Sequence, residues 1–322
     1  MQELKDRSLP MVVLSGPTGV GKTKLSIALA KAIGGEVISA DSMQVYEYMD
    51  VGSAKIRPEE MQGVPHHLIS VLKPWEDFNV TIFQSLCKEA LKGIYERGRI
   101  PIVVGGTGFY VQALLRDVNF TENEDCPEYR KQLEEIAKTE GPEVLNAMLR
   151  KVDPASADAI HPRNVKRTIR ALEFYQLTKT PISAHNETER QKKWAYNACY
   201  FVLNDDRARL YERIEQRVDE MMEQGLLKEV EKLREMGCKR DSTAMQGLGY
   251  KELFDYLDGE CSLEEAVDKI KLSTRHFAKR QLTWFRREEG VIWLNKQEYD
   301  YDEEKILGVM LEKLKDAKIL KA

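Results

Sequence analysis

The 322-residue chain sets 49 Lys and Arg against 53 Asp and Glu, a net charge of −4, and is 42% hydrophobic and 32% charged. That apolar share excludes a disordered chain, and its longest apolar runs, such as Met11–Leu14 and Ile102–Val104, fall far short of the ~20 residues that span a bilayer. Five cysteines (Cys87, Cys126, Cys199, Cys238 and Cys261) without a CxxC pair, and five His without an HExxH, point away from a disulfide framework or a zinc site. With acids at Glu3 and Asp6 there is no signal-peptide pattern, so the expectation is a cytoplasmic protein with reduced thiols and no membrane segment. At roughly 150 residues per domain, the length predicts two domains.

In chain order, Met11–Ser15 reads as a short buried strand and Thr23–Ile33 as a helix, with Leu25, Leu29 and Ile33 recurring every fourth residue. Gly34-Gly35 stops that helix, and Glu36–Ala40 is a second strand. Thr81–Arg97 is a helix ended by Gly98, followed by a third strand, Ile100–Val104. From about residue 121 to 194 the pattern changes to helices only: Pro127–Thr139, Pro142–Val152 and Asn164–Thr178. Cys199–Leu203 returns to strand, a long helix runs from Arg207 to Met236, and Gly290–Leu294 is a last strand. Strand–helix alternation implies a parallel sheet flanked by helices. The predicted fold is therefore α/β, a P-loop-type parallel sheet at residues 1–120 and 195–322, with an all-helical insertion domain at 121–194.

Each early strand runs into a polar or Gly-rich stretch: Gly16–Thr23, Asp41–Tyr46 and Gly105–Tyr110. In open parallel sheets, ligands bind beyond the carboxyl ends of the strands. Gly16-Pro17-Thr18-Gly19-Val20-Gly21-Lys22-Thr23 matches GxxxxGK[ST] between a strand and a helix, the context in which backbone N–H groups cradle phosphate. Lys22 then reaches the terminal phosphate and the Thr23 hydroxyl a Mg²⁺. An NTPase adds a metal-binding carboxylate at the end of a neighbouring strand, yet Ile100–Val104 ends in Gly105-Gly106-Thr107-Gly108. The acid at a strand end in this half is Asp41, either a helix cap or a catalytic carboxylate. Thr107 sits in a Gly-rich turn where its hydroxyl can meet a ligand.

Arg213 and Arg217, four apart on one helix face, suit a diphosphate or, alternatively, local pairing with Glu220 and its neighbours. Two stretches carry cations without acids: Arg163, Lys166, Arg167 and Arg170, and Lys269, Lys271, Arg275, Lys279, Arg280, Arg286 and Arg287. Such segregation predicts a polyanionic partner met on one side. Trp284 within the second stretch reads as core.

Taken together, Gly16–Thr23, Asp41-Ser42-Met43-Gln44-Val45-Tyr46, Gly105–Tyr110, His161-Pro162-Arg163-Asn164, Arg170-Ala171-Leu172-Glu173, Gln246–Glu252 and Lys279–Arg286 resemble the bacterial tRNA dimethylallyltransferases, in order and across residues 16 to about 287. The resemblance implies transfer of a dimethylallyl group from dimethylallyl diphosphate to N6 of the adenosine 3′ of the anticodon. It implies that Gly16, Pro17, Thr18, Gly19, Val20, Gly21, Lys22 and Thr23 bind the prenyl diphosphate instead of ATP, with Mg²⁺ on Thr23 and with Arg217 or Arg213. By the same resemblance Asp41 is the general base and Thr107 joins it in catalysis. Contacts to the anticodon stem-loop are expected from Asp41, Ser42, Met43, Gln44, Thr107, Arg130, Lys166, Arg167, Thr168, Ile169, Arg170, Gln246, Gly247, Gly249, Tyr250, Lys251, Lys279, Arg280, Gln281, Thr283, Trp284 and Arg286. A monomer is expected, without the zinc-finger tail of eukaryotic relatives. Two other readings remain at this stage, a P-loop small-molecule kinase with Asp41 as base and a non-catalytic RNA-binding P-loop module.

Overall fold

A computed structural model describes residues 8–120 and 127–320. Cys126, the N-terminal acids and the expected start of the insertion at 121 lie outside the described residues. Among the described residues the chain forms six strands and thirteen α-helices. In order these are β1 (Pro10–Ser15), α1 (Lys22–Ile33), β2 (Gly35–Ser39), β3 (His66–His67), α2 (Val80–Glu96), β4 (Ile100–Gly105) and α3 (Gly108–Leu115). Five helices follow: α4 (Pro127–Thr139), α5 (Pro142–Val152), α6 (Pro154–Ala159), α7 (Val165–Thr178) and α8 (Ile182–Gln191). The chain then makes β5 (Asn197–Asn204), α9 (Arg207–Glu223), α10 (Leu226–Glu235), α11 (Tyr250–Leu257), α12 (Leu263–Phe285), β6 (Val291–Asn295) and α13 (Glu303–Asp316).

The strands form one sheet in the order β3-β2-β4-β1-β5-β6, with every pairing parallel. Val12 of β1 stands opposite Ile102 on one side and Cys199 on the other. Successive side chains of a strand point to opposite faces. Accordingly Met11 and Val13 enter one apolar cluster while Val12 and Leu14 enter another, all fully buried. This is why the central strands read as continuous apolar runs: both faces of a parallel sheet are covered by helices. The parallel sense also brings the ends of β1, β2 and β4, with the loops that follow them, to one edge.

The chain divides into two compact units, Met1–Leu115 with Trp194–Ala322, and Arg116–Lys193. The second is all-helical among the described residues, built on Leu133, Leu145, Leu149, Ile169 and Leu172. Asp153 staples it. The carboxylate accepts from Ser156 N (3.0 Å) and Oγ (2.7 Å) and from Ser183 N (2.9 Å) and Oγ (2.6 Å). Burial alone would raise its pKa, and these four bonds outweigh that and hold the carboxyl below its ordinary value.

One expectation is corrected. The single helix predicted over Arg207–Met236 is two, because Gly225 takes φ 96°, a left-handed conformation that ends the first helix and admits the second. The edge strand β3, His66–His67, is not among the expected strands; in it His67 Nε2 meets Glu36 at 2.8 Å.

Candidate active site

The loops after β1, β2 and β4, together with α9 and α12, enclose a cleft of about 430 Å³. That size falls in the range of small-molecule sites. Thr18, Gly19, Gly21, Lys22 and Thr23 line one wall, Asp41, Gln44 and Ser53 a second, and Gly105 and Gly106 a third. Arg213, Gln216, Arg217 and Glu220 enter from α9, and Phe277 and Gln281 from α12.

The phosphate-type loop is built by its backbone. Gly21 stands at φ 100° immediately before α1, a conformation that costs a side-chain-bearing residue on the order of 1 kcal/mol or more. Lys22 Nζ donates back to Gly16 O (2.9 Å) and Pro17 O (2.8 Å), arching over the loop. Burial lowers its pKa to about 8, opposed by the nearby Asp41 carboxylate and reinforced by Arg217. Gln281, buried on α12, clamps the loop to its neighbour. It accepts from Thr18 N (2.9 Å) and donates to Gly106 O (2.9 Å).

Asp41 follows β2. Its Oδ1 accepts from Met43 N (2.8 Å) and Gln44 N (3.3 Å), so the carboxylate caps its own turn. Its Oδ2 makes no hydrogen bond among the described residues and is left for the cleft. The two readings of this residue are thus compatible, because one oxygen serves the turn while the other is free. Thr107 begins the turn into α3, where its carbonyl accepts from Tyr110 N and Val111 N; it follows Gly106 but does not itself line the cleft.

The two α9 arginines differ. Arg217 is half-buried beside Asp41 and Glu220; burial lowers its pKa, those carboxylates oppose the shift, and Arg213 adds to it. Arg213 is exposed and leans toward Asp205 at 3.9 Å. Both line the cleft, and Arg217 makes no ion pair among the described residues. A guanidinium held in a cleft without a paired carboxylate is suited to an incoming anion.

Comparison with known proteins gives the family. The IPP transferase family model matches residues 44–288, and the isopentenyl transferase model matches residues 10–70. The chain belongs to the tRNA dimethylallyltransferase family. It is 57% identical to the tRNA dimethylallyltransferase of Lachnoclostridium phytofermentans over 97% of the chain and 99% of that relative. The tRNA dimethylallyltransferase of Carboxydothermus hydrogenoformans is 49% identical over 92% of the chain and 96% of its own length. Among solved structures, the full-length tRNA isopentenylpyrophosphate transferase of Bacillus halodurans superposes with a TM-score of 0.72 at 45% identity, covering 97% of this chain and 98% of that one. A eukaryotic dimethylallyltransferase acting on tRNA gives 0.75 at 32% identity, covering 89% and 74%. Family membership makes this an enzyme, a prenyltransferase acting on a diphosphate substrate, and sets aside the kinase and the non-catalytic module. No helix among the described residues is long and apolar enough to cross a membrane.

The residues expected to contact tRNA divide between exposed and buried positions. Lys166, Arg167 and Arg170 are exposed on α7 and make no ion pair among the described residues. Thr168 and Ile169, between them, are buried, with the Thr168 hydroxyl donating to Asn164 O (3.3 Å). Arg130 is engaged bidentately by Glu173 at 2.8 and 2.7 Å. On α12, Lys279, Arg280 and Thr283 are exposed, as is Arg286 at its C-cap, whereas Gln281 is the buried clamp. Trp284 packs against Gly108 and meets Phe109 edge-on at 6.2 Å, as the core reading expects.

The second basic stretch is not free of acids in space. Lys269 pairs with Asp255 (2.6 Å), Lys271 with Asp219 (2.6 Å) and Arg275 with Glu215. Sequence distance concealed these partners. In the Gln246–Lys251 segment, Gly247, Gly249 and Tyr250 are buried while Gln246 and Lys251 are exposed, and Gln246 Nε2 donates to Arg240 O (2.7 Å). Met43 packs on Gly247.

Sequence reasoning missed Gln216, Glu220, Ser53, Phe277 and Lys296. Gln216 and Glu220 stand three and seven residues after Arg213, so helical spacing alone places them on its face, as Phe277 stands four before Gln281. Lys296 carried no such signal. It is buried under the phosphate-type loop with Nζ 3.5 Å from Val20 O, and burial, with Arg213, lowers its pKa.

Proposed function

We propose that this chain transfers the dimethylallyl group of dimethylallyl diphosphate to N6 of the adenosine 3′-adjacent to the anticodon of tRNA, releasing diphosphate. The observation that carries this reading is the convergence on one cleft of a phosphate-type loop, an unpaired Arg217 and a carboxylate with one free oxygen. The diphosphate lies on the loop N–H groups, Lys22 and Arg217, which meet the negative charge that builds as the C1–O bond breaks. N6 forms the new bond to C1, and Asp41 takes the N6 proton. General-base help of this kind contributes about 10²–10⁴-fold. The adenine is turned out of its stack to reach the cleft.

A Mg²⁺ fits this donor set. The Thr23 hydroxyl lines the cleft and makes no hydrogen bond among the described residues, and no group of three His, Cys, Asp or Glu there could hold a metal alone. Mg²⁺ commonly takes one or two protein ligands and completes its shell from substrate phosphates and water. Thr23 would hold it, and it would neutralise charge on the departing diphosphate. Lys166, Arg167 and Arg170 on α7, and Lys279 and Arg280 on α12 with Arg286 at its C-cap, supply phosphate contacts to the anticodon arm, Arg130 serving to order α4 against α7. The proposed enzyme is a monomer that works on tRNA in the cytoplasm.

The test is to incubate the protein with unmodified tRNA, dimethylallyl diphosphate and Mg²⁺ and analyse the nucleosides by mass. N6-dimethylallyladenosine at the position 3′ of the anticodon is expected. Its absence, with ATP consumed instead, overturns the reading.

A further inference from the structure

One wall of the cleft belongs to a loop, residues 41–54, that has little regular structure of its own. Two of its residues hold left-handed backbone without being glycine: Tyr48 at φ 63° and Ala54 at φ 46°. Such conformations are strained for a residue with a side chain and persist only where the surroundings hold them. The stretch between them is held from elsewhere in the chain. Glu229 of α10 presents its carboxylate to three successive backbone donors. Asp50 N and Val51 N donate to Oε2, both at 2.8 Å, and Gly52 N donates to Oε1 at 3.0 Å. Tyr250, fully buried at the start of α11, donates its hydroxyl to the same Oε1 at 2.7 Å. Its ring lies so close to Gly52 that a Cβ there would stand 2.6 Å from it.

The anchorage reaches the cleft through a short relay. Immediately after Gly52, the carbonyls of Ser53 and Ala54 accept from Gln44 Nε2 at 3.3 and 3.4 Å, and Gln44 Oε1 accepts from Ser39 Oγ at 3.0 Å. Gln44 and Ser53 line the cleft, and Gln44 N is one of the two donors that orient the Asp41 carboxylate. Gly247, three residues before Tyr250, gives Met43 its packing surface.

We infer that Glu229 and Tyr250 are positioning residues for the transfer: by clasping the Asp50–Gly52 backbone they set Gln44, Ser53 and the Asp41 turn, so that the buried Tyr250 of the Gln246–Glu252 segment serves the reaction by bracing the base. This rests on the reading of Asp41 as general base. The phosphate-type loop has a separate support in Gln281, so the clasp governs the acceptor side of the cleft and leaves the diphosphate side alone.

The experiment compares wild type with Glu229→Gln and Tyr250→Phe. Wild-type formation of the prenylated nucleoside tests the underlying reading by itself. An amide at 229 turns one acceptor toward donors as a donor, whereas Tyr250→Phe keeps the ring on Gly52 and removes one bond. Expected are thermal midpoints near wild type and a KM for dimethylallyl diphosphate within about twofold. The single-turnover rate at saturating tRNA falls about tenfold for Glu229→Gln and about threefold for Tyr250→Phe, in the range set by losing one or two hydrogen bonds. Glu229→Asp restores part of the rate. A wild-type single-turnover rate in Glu229→Gln overturns the inference. So does an equal loss of diphosphate affinity, rate and thermal midpoint in both variants, since the clasp then only holds the fold.

Discussion

The phosphate-type loop and the Asp41 loop line one cleft but are held by different means. Gly16–Thr23 lies between a strand buried from Met11 to Ser15 and a helix, and its shape follows from glycine dihedrals and the start of α1, with one long-range clamp in Gln281. Residues 41–54 lie in no such frame: backbone bonds to residues 70–72 hold the middle of the loop, and the side chains of Glu229 and Tyr250, more than 170 positions away, hold its Asp50–Gly52 end. A site can thus combine a rigid anion cradle, portable as a local motif, with a base whose aim depends on the whole domain.

Four changes sharpen or break that contrast. The largest effect is expected at Asp41. Asp41→Asn keeps the turn acceptor but removes the base, so the single-turnover rate should fall by about 10³-fold while tRNA affinity and the KM for dimethylallyl diphosphate stay within a few-fold. A near-normal rate would remove Asp41 from the chemistry and reduce its loop to a wall.

Next is Lys22→Ala, which should lower kcat/KM for the diphosphate by about 10²-fold, with both KM and kcat affected, because the ammonium meets charge that grows as diphosphate leaves. Steady-state kinetics at saturating tRNA reads this. A pure KM effect would mean that the loop binds the ground state and transition state equally.

The pH dependence separates the two walls more finely. The Lys22 pKa is lowered to about 8 in the unliganded protein. The charged form binds the diphosphate, so affinity is intact below pH 8 and should weaken as pH rises above it, by up to about tenfold per pH unit until the pKa of the bound state is reached. Diphosphate affinity measured from pH 7 to 9.5 checks the sign. A flat profile would place the Lys22 titration outside this window.

The smallest effects concern neither wall. Arg167→Ala and Arg280→Ala should each weaken tRNA binding a few-fold and reduce its salt slope by about one unit. Lys271→Ala should leave the slope unchanged, since Asp219 already holds that ammonium. Fluorescence titrations at several salt concentrations distinguish them. If Lys271→Ala and Arg280→Ala behave alike, the paired and unpaired halves of α12 are equivalent to RNA.

The local sequence by itself determined the parallel sheet, through strands apolar on both faces; the phosphate-type loop, through glycine spacing before a helix; and Asp41 as the acid at a strand end. Each is set within a few residues by sterics and solvent exclusion, and such signals are legible without knowing what lies far away in the chain. Only the tertiary structure decided that Lys269, Lys271 and Arg275 are neutralised while Lys279 and Arg280 are not, that Arg217 enters the cleft unpaired while Arg213 leans on Asp205, and that Tyr250 and Glu229 clasp the Asp41 loop. Ion pairs and hydrogen bonds depend on distances of about 3–4 Å in space. Sequence periodicity specifies which face of an element is apolar, and packing alone specifies what that face meets.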